Sequence, residues 1–288
     1  MKATAQSALI RKMVASPFPL KMFPPKVMAS TAWTQAAISQ MQISHLYRYP
    51  VKGLSAEPLA SVALEPGQAL PWDRAFALAL GGTSFDPAQP GWLPKNRFMC
   101  LLKHAAIARL ACRFDPGTGE MVVASADDEV RANALTQAGR LVIGAWLTGF
   151  LGEAARGEAQ FHHVPGHVFG DQRRPVVTLI NLASVEALAA AAGAPRDPLR
   201  FRANIYFDGL PAWEEFGWVG QAISVGAARL RILGRTERCA ATEVNPATAE
   251  RDANPVRELL SAFGHFDLGV HAEVVNGGRV ARGDRVLR

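Results

Sequence analysis

The sequence predicts a mainly β protein with a few helices, folded as barrel-like lobes. Two observations carry this. Apolar or alternating runs of strand length recur between Gly-, Pro-, Asn- and Asp-rich turns along most of the chain. Helix-length patterns are few, and they do not alternate with strands in the βαβα rhythm of a nucleotide-binding parallel sheet.

Residues 43–49 roughly alternate apolar and polar and stop at Pro50, as a half-buried strand would. Residues 59–64 form a second strand, closed by the turn Glu65-Pro66-Gly67-Gln68. A short buried strand over 75–80 runs into a Gly-, Pro-, Ser- and Asp-rich loop over 81–94, and loops of that length are often functional. Residues 107–114 and 121–125 flank Asp115-Pro116-Gly117-Thr118-Gly119, a hairpin signal, and 135–151 reads as a helix. The pattern breaks over 153–175, where Gly157, Pro165, Gly166, Gly170 and Pro175 cluster, and a domain boundary is placed there. Beyond it come a buried strand over 176–180 and a helix N-capped by Ser184 and stopped by Gly193. Strands over 202–207, 221–225 and 229–234 follow, with a short helical turn over 211–216. A helix opens at Pro255 and ends at Gly264. Residues 268–275 and 279–287, joined by Asn276-Gly277-Gly278, close the chain as a hairpin. The expected organisation is an N-terminal extension over 1–40, one β-barrel domain over 41–155 and a second over 156–288.

The chain has 288 residues, 49% hydrophobic and 19% charged, ordinary values for a globular protein with a substantial core. No run approaches the ~18 apolar residues of a membrane-spanning helix. The net charge of +6 is misleading. Residues 1–40 hold Lys2, Arg11, Lys12, Lys21 and Lys26 and no acid, which leaves +1 for residues 41–288. The folded part is therefore close to neutral, and the composition gives no argument for nucleic-acid or membrane binding. The extension is read as disordered, either a targeting peptide or the product of a start assigned upstream of Met41. Cys100, Cys112 and Cys239 are too few and scattered for a disulfide framework, so a reducing, cytoplasmic compartment is expected.

Cys239 is the candidate reactive residue. It lies in Arg238-Cys239-Ala240-Ala241-Thr242-Glu243-Val244-Asn245-Pro246, with small residues on one side and Arg235 and Arg238 on the other. Nearby positive charge favours a thiolate, which is a nucleophile or a soft metal ligand. A buried, inert cysteine is the bland alternative. One thiolate cannot build a structural zinc site or an iron–sulfur cluster. A cysteine hydrolase would need a histidine such as His265 or His271, and the local protease signatures are absent. No GxGxxG opens a helix and no P-loop is present. His162, His163 and His167 are read as a solvated loop, because Pro165 and Gly166 prevent a ligand-bearing helix. Basic residues recur at Lys52-Gly53, Asp73-Arg74, Lys95-Asn96-Arg97, Arg173-Arg174 and Arg200-Phe201-Arg202, a set suited to an anionic, phosphate-bearing ligand.

Three groups of residues resemble the MOSC-domain family. Tyr49-Pro50-Val51-Lys52-Gly53, Trp72-Asp73-Arg74 and Arg200-Phe201-Arg202-Ala203-Asn204-Ile205 resemble its N-terminal barrel and linking region. Cys239-Ala240-Ala241-Thr242 with Asn245-Pro246-Ala247-Thr248 and Arg251-Asp252 resembles the signature around the family's molybdenum-binding cysteine. Asp267-Leu268-Gly269-Val270-His271-Ala272 and Gly278–Asp284 resemble its closing strands. The resemblance implies a MOSC-type fold of two β-rich lobes and a molybdenum–molybdopterin cofactor with Cys239 as the protein ligand to the metal. It further implies that Lys52, Gly53 and Arg74 contact the cofactor's phosphate and pterin, Arg202 and Asn204 hold its other side, and Thr242 steadies the cysteine loop. Asp267 and His271 are implied only as neighbours of the site.

The implied activity is molybdenum-dependent reduction of N-hydroxylated or other N- or S-oxygenated small molecules, as in amidoxime-reducing proteins, with electrons from a separate reductase, flavin or iron–sulfur protein. The alternative is a non-catalytic carrier of the cofactor or of sulfur on Cys239. The family's name comes from the C-terminal domain of molybdenum-cofactor sulfurases, and this chain has no room for their pyridoxal-phosphate domain. It departs from the family at Gly53, where a serine is frequent, and at Ala249, where glycine is frequent. It also lacks the cysteines of the ferredoxin-like domain found in some bacterial relatives.

Overall fold

In the computed structural model, residues 41–288 are described. The expectation of a disordered extension over 1–40 falls outside them. The main sheet has eight strands in the order β15-β11-β12-β13-β9-β10-β1-β2. These are β1 (Gln42–Arg48), β2 (Glu57–Leu59), β9 (Val177–Asn181), β10 (Ile205–Asp208), β11 (Ala222–Val225), β12 (Ala228–Glu237), β13 (Asp267–Asn276) and β15 (Val286–Leu287). The sheet curls until its ends meet. Ile43 N–H donates to Asp284 O at 2.9 Å, Gly283 N–H to Ile43 O at 2.8 Å and Val286 N–H to Met41 O at 3.0 Å. These bonds join β1 to the strand at the far end of the order and leave a barrel without the long open edge that invites aggregation.

The barrel follows from alternation. Along β12, Ala228, Leu230 and Ile232 point inward while Arg229 and Arg231 point to solvent. Phe207 and Trp218 stack inside with centroids 5.3 Å apart, packed with Leu179, Ile223, Leu230 and Val270. Three irregularities in the β12–β13 register, at Arg229/Leu230, Ile232/Gly234 and Arg235/Glu237, add the local twist that a small barrel needs.

One pair, β9 with β10, is parallel. A parallel pair needs a crossover, and α2 (Leu182–Ala192) supplies it. The single βαβ unit was not visible as a rhythm because it occurs once. Ser184 is not the cap of this helix. Asn181 caps it by accepting from Ala183 N–H at 3.2 Å, and Ser184 lies inside, donating its hydroxyl to the buried Glu215 at 2.7 Å. Gly193 ends α2 at φ 68°, as expected. Asn254, Pro255 and Gly264 bound α3 (Pro255–Phe263) in the manner the sequence predicts.

After Arg48 the chain leaves the barrel, returns to it for β2, and then builds a second lobe. There β4 (Phe76–Ala79) pairs with β8 (Gln160–His163), and β5 (Ala111–Phe114), β6 (Glu120–Ala124) and β7 (Glu129–Asn133) form a meander. Helix α1 (Gln137–Leu151) begins where Thr136 Oγ1 accepts from Gly139 N–H at 3.0 Å, and it packs Ile143 and Leu147 against Phe76, Phe114 and Met121. Arg48 links the lobes, pairing with Glu57 and donating to Phe114 O at 2.7 Å. Among the described residues the architecture is mainly β with three α-helices, the fold class expected. Among the described residues, no helix is long and apolar enough to cross a membrane.

The expected C-terminal hairpin is corrected. β14 (Gly278–Ala281) pairs with β3 (Ser61–Leu64), not with β13. Gly277 permits the change of partner, because a Cβ there would sit 2.7 Å from Leu64 O.

Replacing Phe207 with Ala would remove a fully buried ring from the barrel. Chemical denaturation should then show a loss of about 3–5 kcal/mol.

Candidate functional site

Cys239 follows β12 in extended backbone (φ −132°, ψ 173°) and opens a 3₁₀ turn over Ala240–Glu243. Thr242 folds the loop back on it: the Thr242 N–H and hydroxyl both donate to Cys239 O, at 3.0 and 2.9 Å. Arg200, 6% exposed, braces the far side by donating to Glu243 O at 2.9 Å and pairing with Asp252 at 2.5 Å. Asn245 accepts from Ala247 N–H at 2.9 Å and donates to Asp252 at 2.7 Å. Ala249, where glycine is frequent in the resembling family, holds φ 62°. A left-handed alanine costs about 1–2 kcal/mol, so the turn is kept against local strain. Arg251 extends the bracing to the second lobe, donating to Ala240 O at 2.8 Å and to Leu101 O and Leu102 O at 3.0 and 2.8 Å.

The cation at the sulfur is not one of those adjacent in sequence. Lys95 Nζ, from the other lobe, lies 3.2 Å from Cys239 Sγ. Arg235 instead stacks over Phe216 at 4.4 Å, and Arg238 donates to Leu268 O and to Phe201 O, the latter at 2.8 Å. Lys95 also reaches Asp171 at 3.4 Å, and the other oxygen of Asp171 pairs with Lys52 at 2.5 Å. Burial pulls Lys52 down, an effect Asp171 only partly offsets. Burial pulls Lys95 down as well, but Asp171 and the Cys239 sulfur outweigh it and raise the group overall. Burial pushes Asp171 up, but Lys52, Lys95 and Arg74 outweigh this and hold it at about 2.

A second cluster faces the same space. Tyr49, 1% exposed, is shared by Arg74 and Arg202, whose guanidinium carbons lie 4.5 and 4.2 Å from its ring centroid. Arg74 pairs with Asp73 and donates to Arg202 O at 2.7 Å, while Arg202 donates to Leu54 O at 2.7 Å. Burial, with the nearby Arg74 charge, lowers Arg202 to about 10. Trp72, Arg74 and Arg202 all have positive φ (64°, 49° and 52°). Arg74 and Arg202 border the site and Trp72 and Ala249 lie in the segments that carry it, where backbone strain is commonly held by surrounding structure.

These elements line a cavity of about 340 Å³ between the lobes. All seven residues singled out from the sequence, Cys239, Lys52, Gly53, Arg74, Arg202, Asn204 and Thr242, border it. Their polar atoms are differently available. Asn204, 1% exposed, accepts from Thr178 N–H and hydroxyl at 3.1 and 3.0 Å and donates to Tyr47 O at 3.3 Å, so its amide is committed to joining strands. Gly53 (φ 90°) is required locally, since a Cβ would come within 2.9 Å of Ile107 Cδ1 and 3.1 Å of Met99 O. His271 also borders the cavity, with a buried Nδ1 that has no protein partner. Asp267 does not border it and lies 3.9 Å from Arg235. Buried Thr236 Oγ1 and Arg200 Nε, on other lining residues, are likewise unpartnered. The lining carries seven lysines and arginines against three acids, Asp73, Asp171 and Glu237, so the space favours an anionic occupant.

Sequence reasoning missed Lys95 and Asp171 as site residues. Lys95 stood at the end of a long loop and in a basic run, both noticed, but nothing local ties it to a sulfur 144 positions away. Asp171 lay in the segment read as a boundary. The histidines are also corrected. His162 and His163 lie on β8, with His162 against Phe85 and His163 stacked on Trp72 and Phe76, because the aromatic core draws them in. His167 packs on Phe169 at 4.7 Å.

Asp171 has its pKa lowered on folding, from 3.8 to about 2, so its contribution is present above the ordinary value and lost as pH falls through the folded one. Thermal unfolding followed between pH 4 and 2 should therefore show less acid sensitivity in Asp171→Asn than in the wild type. Asn204→Ala would leave Thr178 and Tyr47 groups unpaired, and calorimetry should show a stability loss of about 2–3 kcal/mol even without ligand.

The family model of the MOSC domain matches residues 165–287. No curated protein matches the chain. Among solved structures, the YuaD protein from Bacillus subtilis is similar at 12% identity and a TM-score of 0.41, over 85% of this chain and 93% of that one. YiiM from Geobacillus stearothermophilus is similar at 15% identity and a TM-score of 0.31, over 38% of this chain and 52% of that one. The matched segment, 165–287, is thus similar to a MOSC domain, and it contains β9 to β15, the cysteine loop and both of its arginine braces.

Proposed function

We propose that the protein binds a molybdenum–molybdopterin cofactor in the inter-lobe cavity and reduces N-hydroxylated or other N- or S-oxygenated small molecules. The observation that carries this reading is Cys239 Sγ facing a cation-rich cavity, inside a domain whose family is associated with molybdenum-cofactor binding. The donor set fits such a group. Among the described residues, no group of three or more His, Cys, Asp and Glu side chains could hold a metal. A metal beside Cys239 must therefore bring most of its own ligands, as a pterin dithiolene does.

When bound, the cofactor supplies two-electron removal of the substrate oxygen, which leaves as water after two protons arrive. The chain supplies the remainder. Cys239 provides one sulfur ligand, and the two bonds from Thr242 to Cys239 O hold the direction of that sulfur. Lys52 and Arg74 offer positive charge to phosphate and pterin, once the Asp171 carboxylate that now pairs with Lys52 yields. Unpartnered Thr236 Oγ1, His271 Nδ1 and Arg200 Nε give a polar ligand further sites to satisfy. Electrons come from a separate donor protein.

The test is to purify wild type and Cys239→Ser from a host that makes the cofactor, then measure molybdenum, pterin and amidoxime reduction with a chemical electron donor. Wild type should hold molybdenum near one per chain and turn over. Cys239→Ser should lose at least ~90% of both, with unchanged circular dichroism, because the sulfur is a ligand and not a core filler. Wild type without molybdenum would sink the reading. Bound cofactor without turnover would favour a carrier.

A further inference from the structure

Lys95 occupies a place that no other side chain shares. It stands in the 3₁₀ turn Lys95–Arg97 behind Pro94, with an ammonium 3.2 Å from Cys239 Sγ and 3.4 Å from Asp171 Oδ2. Asp171, anchored to Lys52 at 2.5 Å, fixes the direction of that ammonium. The neighbouring Arg238 has turned its guanidinium to the carbonyls of Leu268 and Phe201, and among the described residues Lys95 alone makes a hydrogen bond to the sulfur. Anything that binds or reacts at Sγ must therefore come within a few ångströms of a fixed positive charge. The Lys95 side chain is 31% exposed, so water screens its charge incompletely.

We propose that Lys95 is the specificity-determining residue at this sulfur, selecting partners that carry negative charge beside the reacting atom. Substrates are accordingly N-oxygenated compounds that also carry an ionised acid, such as carboxylate-bearing hydroxamates and N-hydroxylated carboxylates, in preference to cationic N-hydroxyguanidines. The substrate class rests on the molybdenum reading above; charge selection at the sulfur does not.

The test uses metal-free full-length protein from a host unable to make the cofactor. Cys239 is alkylated at one pH by iodoacetate or iodoacetamide, and its modification is followed by peptide mass spectrometry. Both reagents form the S–C bond and expel iodide from the same sulfur, so their rate ratio cancels the fraction of sulfur that is ionised. The iodoacetate-to-iodoacetamide ratio should fall about tenfold in Lys95→Met, between the limits for a water-screened and a buried charge. It should be retained in Lys95→Arg and rise in Asp171→Asn, which removes a negative charge from the same place. An unchanged ratio in Lys95→Met, or a fall in Lys95→Arg as deep as in Lys95→Met, overturns the proposal. Circular dichroism of each variant excludes misfolding, and the Asp171→Asn comparison stands if Lys95→Met does not fold. In molybdenum-loaded enzyme, Lys95→Met should raise KM for an anionic hydroxamate and lower it for a cationic N-hydroxyguanidine, with kcat changing less. If wild type takes up no molybdenum, the proposed function falls while the alkylation ratio still decides the role of Lys95.

Discussion

The stacking of Arg74 and Arg202 on the ring of Tyr49 is the constraint on which the inter-lobe site depends. Two guanidiniums would repel one another in a buried space; the ring they share attracts both. Their remaining donors are spent on Asp73, Arg202 O and Leu54 O, which belong to the segments leading out of and back into the barrel. Positive charge is thereby held at the junction without a second buried acid opposite Arg202. The same junction keeps Lys52 and Lys95 within reach of one carboxylate and of a sulfur carried by the barrel.

The cysteine loop is organised by a different device. Short-range bonds from Thr242 and Asn245 shape it, and Arg200 and Arg251 then tie its carbonyls to the barrel side and to the second lobe. Arginine suits this work because its planar fork satisfies several carbonyl oxygens at once. The loop can thus keep a left-handed alanine and a partly exposed thiol in one arrangement.

Much of the fold was legible because its signals are local. Alternation set the inward face of β12, and Pro255 with Gly264 marked both ends of α3. What the sequence concealed is non-local. The exchange of β13 for β3 as the partner of β14, and the capture of His162 and His163 by aromatic rings, are decided by surfaces distant along the chain. The site shows the same division. Cys239, Thr242, Lys52 and Arg74 sit in recognisable strings, and the cavity brings them together. Lys95 sits in a basic run that gives no hint of the sulfur, and Asp171 has no string at all. Asn204 sits in a string, yet its amide is occupied by Thr178 and Tyr47.

Closure of the barrel by Met41 and Ile43 against residues 283–286 bears on the order of assembly. During synthesis the first strand emerges long before its last partner, and until then its Met41–Ile43 end lacks a partner on the edge that β2 covers farther along. The second lobe, made of residues between those two segments and rich in nearby pairings such as β5–β6–β7, can condense in the interval. The cavity, bordered by residues from both lobes, comes into being only at the end. A nascent chain would therefore present Lys52, Arg74 and Lys95 before the cysteine they surround exists, and any ligand that needs the sulfur must be taken up after translation of residue 239.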